Sequence, residues 1–115
     1  MPIVYSIDST TRSLRVRYSG AIVTGDVLRF FDGFEPRISQ FSDFVEHVDF
    51  KRVTRVSISA GELHCLYCLL HGIYLRNAPR KDILVHAPTP AARGAVRGFA
   101  EFLSQQKVAP DVKFV

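Results

Sequence analysis

Between Phe44 and Asn77 the chain reads as a short strand, a basic loop and one long capped helix, and no other stretch limits the fold as much. Phe44, Val45, Val48 and Phe50 form a β-branched and aromatic cluster too short for a globular helix. Lys51 to Ile58 then reads as a charged loop. Ser59, with Glu62 three residues later, is a capping box, and Leu63, Leu66, Tyr67, Leu70, Ile73 and Tyr74 fall on one helical face. A strand leading into a helix with one apolar stripe predicts that the stripe packs on a sheet, so an α/β architecture is expected.

Shorter copies of this alternation flank the unit. Ile3, Tyr5 and Ile7 alternate with Val4, Ser6 and Asp8, Ser9-Thr10-Thr11 turns the chain, and Leu14, Val16 and Tyr18 alternate again with Arg15 and Arg17 between them. This predicts a hairpin with one wet face. Gly20 ends or kinks its second strand, and Thr24 is the expected N-cap of a helix over Gly25 to Phe34 that Gly33 and Pro36 stop. After Asn77-Ala78-Pro79, Ile83, Leu84 and Val85 read as a buried parallel strand. Thr89 then caps a helix that has Pro90 at its first position and Ala95, Phe99, Phe102 and Leu103 on its apolar face. Val112, Phe114 and Val115 close the chain as a strand. The expected order is β-β-α-β-α-β-α-β: a single domain over residues 1–115, with a mixed, mainly parallel sheet of about five strands and helices mainly on one face.

Composition narrows the function classes. The 115 residues carry 15 basic and 11 acidic side chains, a net charge of +4 spread along the sequence rather than gathered on one stripe, so nucleic-acid binding is not expected. No run approaches the ~20 apolar residues of a membrane span, and the N-terminus has no signal-type segment, so the expected location is the cytoplasm. Cys65 and Cys68 sit three apart on the long helix, where a mutual disulfide is awkward, and reduced thiols fit that compartment.

Two segments resemble a known family. Val48 to Ser59, VDFKRVTRVSIS, resembles the strand and loop of SpoIIAA-like proteins, small bacterial members of the STAS and CRAL-TRIO lipid-transfer-like group that are mostly uncharacterised. Asp82 to Leu103 is similar to their later strand and helix, including the turn at Ala87-Pro88, Gly94, Arg97 and Phe99. The resemblance implies a non-enzymatic regulatory or protein-interaction module; in the regulatory relatives, an antagonist of an anti-sigma kinase is switched by serine phosphorylation. Where those regulators read D-S-S-G, this chain has Ser57-Ile58-Ser59-Ala60. Ser59 is the remaining phosphoacceptor candidate, and capping alone is a sufficient reason for it. The lipid-transfer relatives imply an alternative: an apolar or amphipathic ligand, with peripheral membrane association.

Candidate sites follow from the same pattern. Three helix N-termini after parallel strands, with Lys51, Arg52, Arg55, Ser59 and Thr89 around them, make an anion or ligand site, against the plainer reading of a solvated basic loop. Phe30, Phe31 and Phe34 are candidates for an apolar-ligand wall, against plain core packing. On the back of the long helix, Gly61, His64, Cys65, Cys68, His71, Gly72 and Leu75 carry no fixed charge, which predicts a covered face, foremost in a symmetric homodimer. His64, Cys68 and His71 are the sharper metal or redox alternative, but one helix cannot surround a tetrahedral ion, so no metal or cofactor is expected. No catalytic constellation is legible: Asp49 has no second acid near it, and His47 and His86 sit on strands.

Overall fold

The chain begins with the expected hairpin. β1 (Ile3–Asp8) and β2 (Ser13–Val23) pair antiparallel from Ile3 opposite Tyr18 to Asp8 opposite Ser13. The Asp8 carboxylate accepts hydrogen bonds from the amides of Thr10 and Thr11 at 2.9 and 3.3 Å, which holds the turn while Arg12 takes a left-handed φ of 52°. The computed structural model describes residues 2–115.

Three crossovers follow. Helix α1 (Thr24–Ile38) and a 3-10 turn at Ser39–Phe41 lead to β3 (Val45–Ser57); α2 (Ala60–Asn77) leads to β4 (Asp82–His86), and α3 (Pro90–Ser104) to β5 (Asp111–Phe114). The sheet order is β1-β2-β3-β4-β5, with every pair after the hairpin parallel. Each crossover steps one strand in the same direction, so connections of one hand lay all three helices on the same face. Val27 and Phe31 from α1, Leu66 and Tyr74 from α2, and Ala92 and Val96 from α3 close over Val16, Val48 and Val85. Among the described residues the opposite face carries no helix. In register across it lie Arg15 beside His47 and Arg17 beside Asp49 and His86, and the two imidazoles stack with centroids 6.2 Å apart. No helix among the described residues is long and apolar enough to cross a membrane.

The elements depart from the sequence reading in three places. Lys51 to Ile58 is not a loop: β3 continues to Ser57, paired with an equally extended β2 up to Val23 opposite Ser57. Val53 is buried and Val56 half-buried while Lys51, Arg52, Thr54 and Arg55 point to solvent, so the charges mark the wet side of a strand. Register shifts after Arg17 and after Gly20, whose φ is 74°, bend this ladder over the helices. Helix α1 passes through Gly33 and Pro36 to Ile38, because Phe34 and Ile38 are 1% and 0% exposed and their burial outweighs the bond that proline removes. Its first turn is closed by Asp26, whose carboxylate accepts from the Val23 amide at 3.1 Å, so Val23, not Thr24, is the cap position.

The Ser59 box forms as read. Ser59 Oγ accepts from the Glu62 amide and Glu62 accepts from the Ser59 amide, both at 3.2 Å. Hydrogen bonding, the Ser59 amide first, holds the Glu62 carboxyl below its ordinary range. The bend at Gly20 gives a test. No atom lies within 4 Å of where a methyl group would sit, so Gly20→Ala is expected to cost about 1–2 kcal/mol through backbone strain alone, read by urea denaturation.

Candidate functional site

Strand parity places a carboxyl in the core. Along β3, Glu46, Val48 and Phe50 alternate onto the helix-covered face, and Glu46 sits between Leu14 of β2 and Ile83 of β4 with 2% of its surface exposed. Tyr74, on the buried stripe of α2, donates its hydroxyl to both carboxyl oxygens at 3.0 and 2.8 Å. Burial pushes the Glu46 carboxyl up to about 7, against the opposing pull of the Tyr74 hydrogen bond and the Lys81 charge. Lys81 is 1% exposed, and its ammonium donates to the Phe41 carbonyl. Burial lowers its pKa, opposed by the charges of Glu46, Asp43 and Asp82. Tyr18 and Tyr74 are raised by burial and, secondarily, by the charge of Glu46.

Beside this cluster the sheet and helices do not close completely. A cavity of about 130 Å³ runs between them, with Glu46, Tyr74, Val48, Ile83, Val85 and Leu66 at its buried end. The half-exposed Phe50, Val56, Ile58, Leu63, Tyr67 and Phe99 line its other end, where the bent β2–β3 ladder faces α2 and α3. Apart from Glu46, the tyrosines are the polar side chains in the wall. Tyr67 donates to the Ala95 carbonyl at 2.7 Å and tilts against Phe99 at 5.6 Å. Gly98 allows this approach, since a methyl group there would collide with the Tyr67 hydroxyl.

The sequence candidates are placed as follows. Phe31 alone of the three phenylalanines reaches the cavity; Phe30 and Phe34 stack at 5.1 Å on each other and pack on Tyr5 of β1, as core. Lys51, Arg52 and Arg55 lie along the outer half of β3 with Ser59 just past its end, and Thr89 stands apart, past the end of β4. β4 pairs with β3 only as far as Asp49 opposite His86, whereas Ser59 lies beyond Ser57, which is eight residues further along β3. Lys51 turns back to Asp49, its amide bonding that carboxylate at 2.8 Å. Thr89 Oγ accepts from the Ala92 amide at 3.3 Å and caps α3.

On the back of α2, Gly61, His64, Cys65, Cys68 and Leu75 are exposed, and His71 and Gly72 are half-exposed. His64 and His71 flank the Phe102 ring of α3 at 5.8 and 6.1 Å. Cys68 Sγ lies 3.9 Å from His64 Nε2, but His71 Nε2 donates to the Val108 carbonyl at 3.1 Å, and no group of three or more metal-ligating side chains forms among the described residues. His47 stacks on His86 on the open face; burial first, then Arg15 and His86, lower its pKa.

Comparison with known proteins places the fold. No family model matches the chain, and no curated protein resembles it in sequence. The anti-sigma factor antagonist SpoIIAA in its unphosphorylated form superposes with a TM-score of 0.50 at 12% identity, over 96% of this chain and 86% of that one. An uncharacterised protein of the DUF3478 family with a SpoIIAA-like fold, from Shewanella loihica PV-4, superposes with a TM-score of 0.56 at 17% identity, over 98% of this chain and 83% of that one. The fold is SpoIIAA-like, a five-stranded mixed sheet with three helices.

Glu46 sets a pH dependence of stability. Below 4.5 both folded and unfolded chains hold its proton; between 4.5 and about 7 only the folded chain does, so stability falls as pH rises through that window. The displacement is worth roughly 3 kcal/mol. Glu46→Gln, which keeps an acceptor for Tyr74 without the charge, is therefore expected to gain stability relative to the natural chain from pH 4.5 to pH 8, measured by urea denaturation at several pH values.

Proposed function

We propose that this chain is a non-enzymatic binding module that takes a small apolar ligand between its sheet and its helical layer. The observation that carries this reading is the cavity of about 130 Å³, apolar except for Glu46 and tyrosines, that reaches from the half-exposed rim at Phe50 and Phe99 to Glu46. Apolar cavities near 150 Å³ stay dry and accept molecules of the size of benzene, so the capacity fits a small ring or a short aliphatic chain. Of the sequence candidates for an apolar wall only Phe31 belongs to this site; the remaining wall comes from α2, α3 and the bent ladder. Benzene titrated into the labelled protein is expected to shift the methyl resonances of Leu66, Val85 and Val96, and Val96→Phe, which fills the space, to abolish the shifts. Unmoved methyl resonances at saturating benzene would refute the reading.

A second reading, a module that pairs with another protein, is favoured by a different observation. Leu28 on α1 and Leu69 and Leu75 on α2 are 44%, 39% and 44% exposed, next to the uncharged Cys65, Cys68 and Gly72. An apolar helix surface of this kind is a common interface feature, and a second copy of this chain offers the same surface in return. Light scattering on a size-exclusion column is expected to give a dimer for the natural chain and a monomer for a Cys68→Arg, Gly72→Arg double variant. A natural chain that is already monomeric at high micromolar concentration sinks this second reading. Ser59 is read here as a cap rather than a phosphorylation switch, since both partners of its box are engaged.

A further inference from the structure

Glu46 is the one carboxyl among the residues that line the cavity, and its chemistry is specific. Glu46 presents two carboxyl oxygens, yet a single hydroxyl, that of Tyr74, is shared between them at 3.0 and 2.8 Å. An ionised carboxylate has about four acceptor sites and a protonated one has an O–H to place, so either form retains unused hydrogen-bonding capacity. Around it stand Leu14, Val48, Ile83 and Val85, which offer none. The charged and titratable groups that face it are Tyr18 from β2, Tyr74 from α2 and Lys81 ahead of β4, and Lys81 is directed to the Phe41 carbonyl.

We propose that Glu46 is the polar anchor of the cavity and that it selects small apolar molecules carrying one uncharged hydroxyl, such as phenols and short alcohols, while excluding carboxylates. This rests on the reading of the cavity as a ligand site. A hydroxyl suits both forms of the anchor, donating to the carboxylate or accepting from the acid, and therefore binds on either side of neutrality. A ligand carboxylate brings a second negative charge into a site that is 2% exposed at Glu46, where solvent does little to screen it. An ammonium would gain the ion pair only after losing its hydration in the same apolar surroundings. The upward displacement of the Glu46 carboxyl is consistent with this, because it marks a place where negative charge is already disfavoured.

The experiment is a titration of the natural chain with benzene, phenol, benzoate and benzylamine at pH 8, followed by amide and methyl chemical shifts. Phenol is expected to bind about five- to tenfold more tightly than benzene, the effect of one added hydrogen bond. Benzoate is expected to bind at least about tenfold more weakly than phenol. Glu46→Gln, which removes the charge and keeps an acceptor, is expected to admit benzoate, and Glu46→Leu to equalise phenol and benzene. The ratios in the natural chain stand by themselves if either variant fails to fold. Equal affinities for benzene and phenol, or benzoate bound as tightly as phenol, overturn the anchor while leaving the cavity as an apolar ligand site. No shift with any of the four, benzene included, overturns the cavity reading and the anchor with it.

Discussion

Parallel pairing of β2 with β3 is the constraint on which the rest of the molecule depends. Two neighbouring parallel strands cannot be joined by a tight turn, so the chain must leave the sheet and return across it. Repeated three times in one direction, that requirement assigns every helix to one face and leaves the other to its own side chains. The asymmetry explains why Arg15, Arg17, His47, Asp49 and His86 share one surface, while Val16, Val48 and Val85 share the core. It also means that one layer of helices must cover a five-stranded sheet, and the cavity lies where that layer meets the bent β2–β3 ladder.

Much of this architecture was readable from local signals, because each acts over a few residues. The Ser59–Glu62 box, the Thr89-Pro90 start and the alternation in Leu14, Val16 and Tyr18 are decided by neighbours in sequence, and all three form as read. Tertiary packing decided the misreadings. Pro36 is a local stop signal, but Ile38 two residues later is 0% exposed, and the core contact overrides the signal. Lys51, Arg52 and Arg55 look like a loop when charge is counted; Val53, Val56 and Ile58 between and after them show a strand with one wet side once a partner strand is known.

The candidate site was less legible, for a physical reason. A glutamate in a strand is ordinarily solvated, and Glu46 attracts no notice beside Val45 and Val48 if hydrophobic residues alone are counted. Its parity was nevertheless available: Glu46 alternates with Val48 and Phe50, which places it on the inward side. The anchoring partner was not available in the same way. Tyr74 lies 28 residues downstream, and only the completed crossover of α2 brings its hydroxyl to the carboxyl. The anion-site grouping assumed strand ends that lie level: those of β2 and β3 do, with Val23 opposite Ser57, whereas β3 outruns β4 from Asp49 to Ser57 and leaves Thr89 apart.

The extension of β2 and β3 beyond the body of the sheet makes part of the cavity wall a two-stranded arm. Past Ser19, whose amide still reaches the Pro2 carbonyl, β2 has lost β1 among the described residues, and past Asp49 β3 has lost β4, so Gly20–Val23 pair there with Val53–Ser57. A ribbon of two strands resists bending far less than a sheet of five. Side-chain packing takes over where strand pairing ends: Ile22 and Val53, 3% and 5% exposed, pin the ribbon to the core beneath the helices. The bend at Gly20 thus shapes one wall of the cavity, while Glu46, paired on both sides, sits in the body of the sheet.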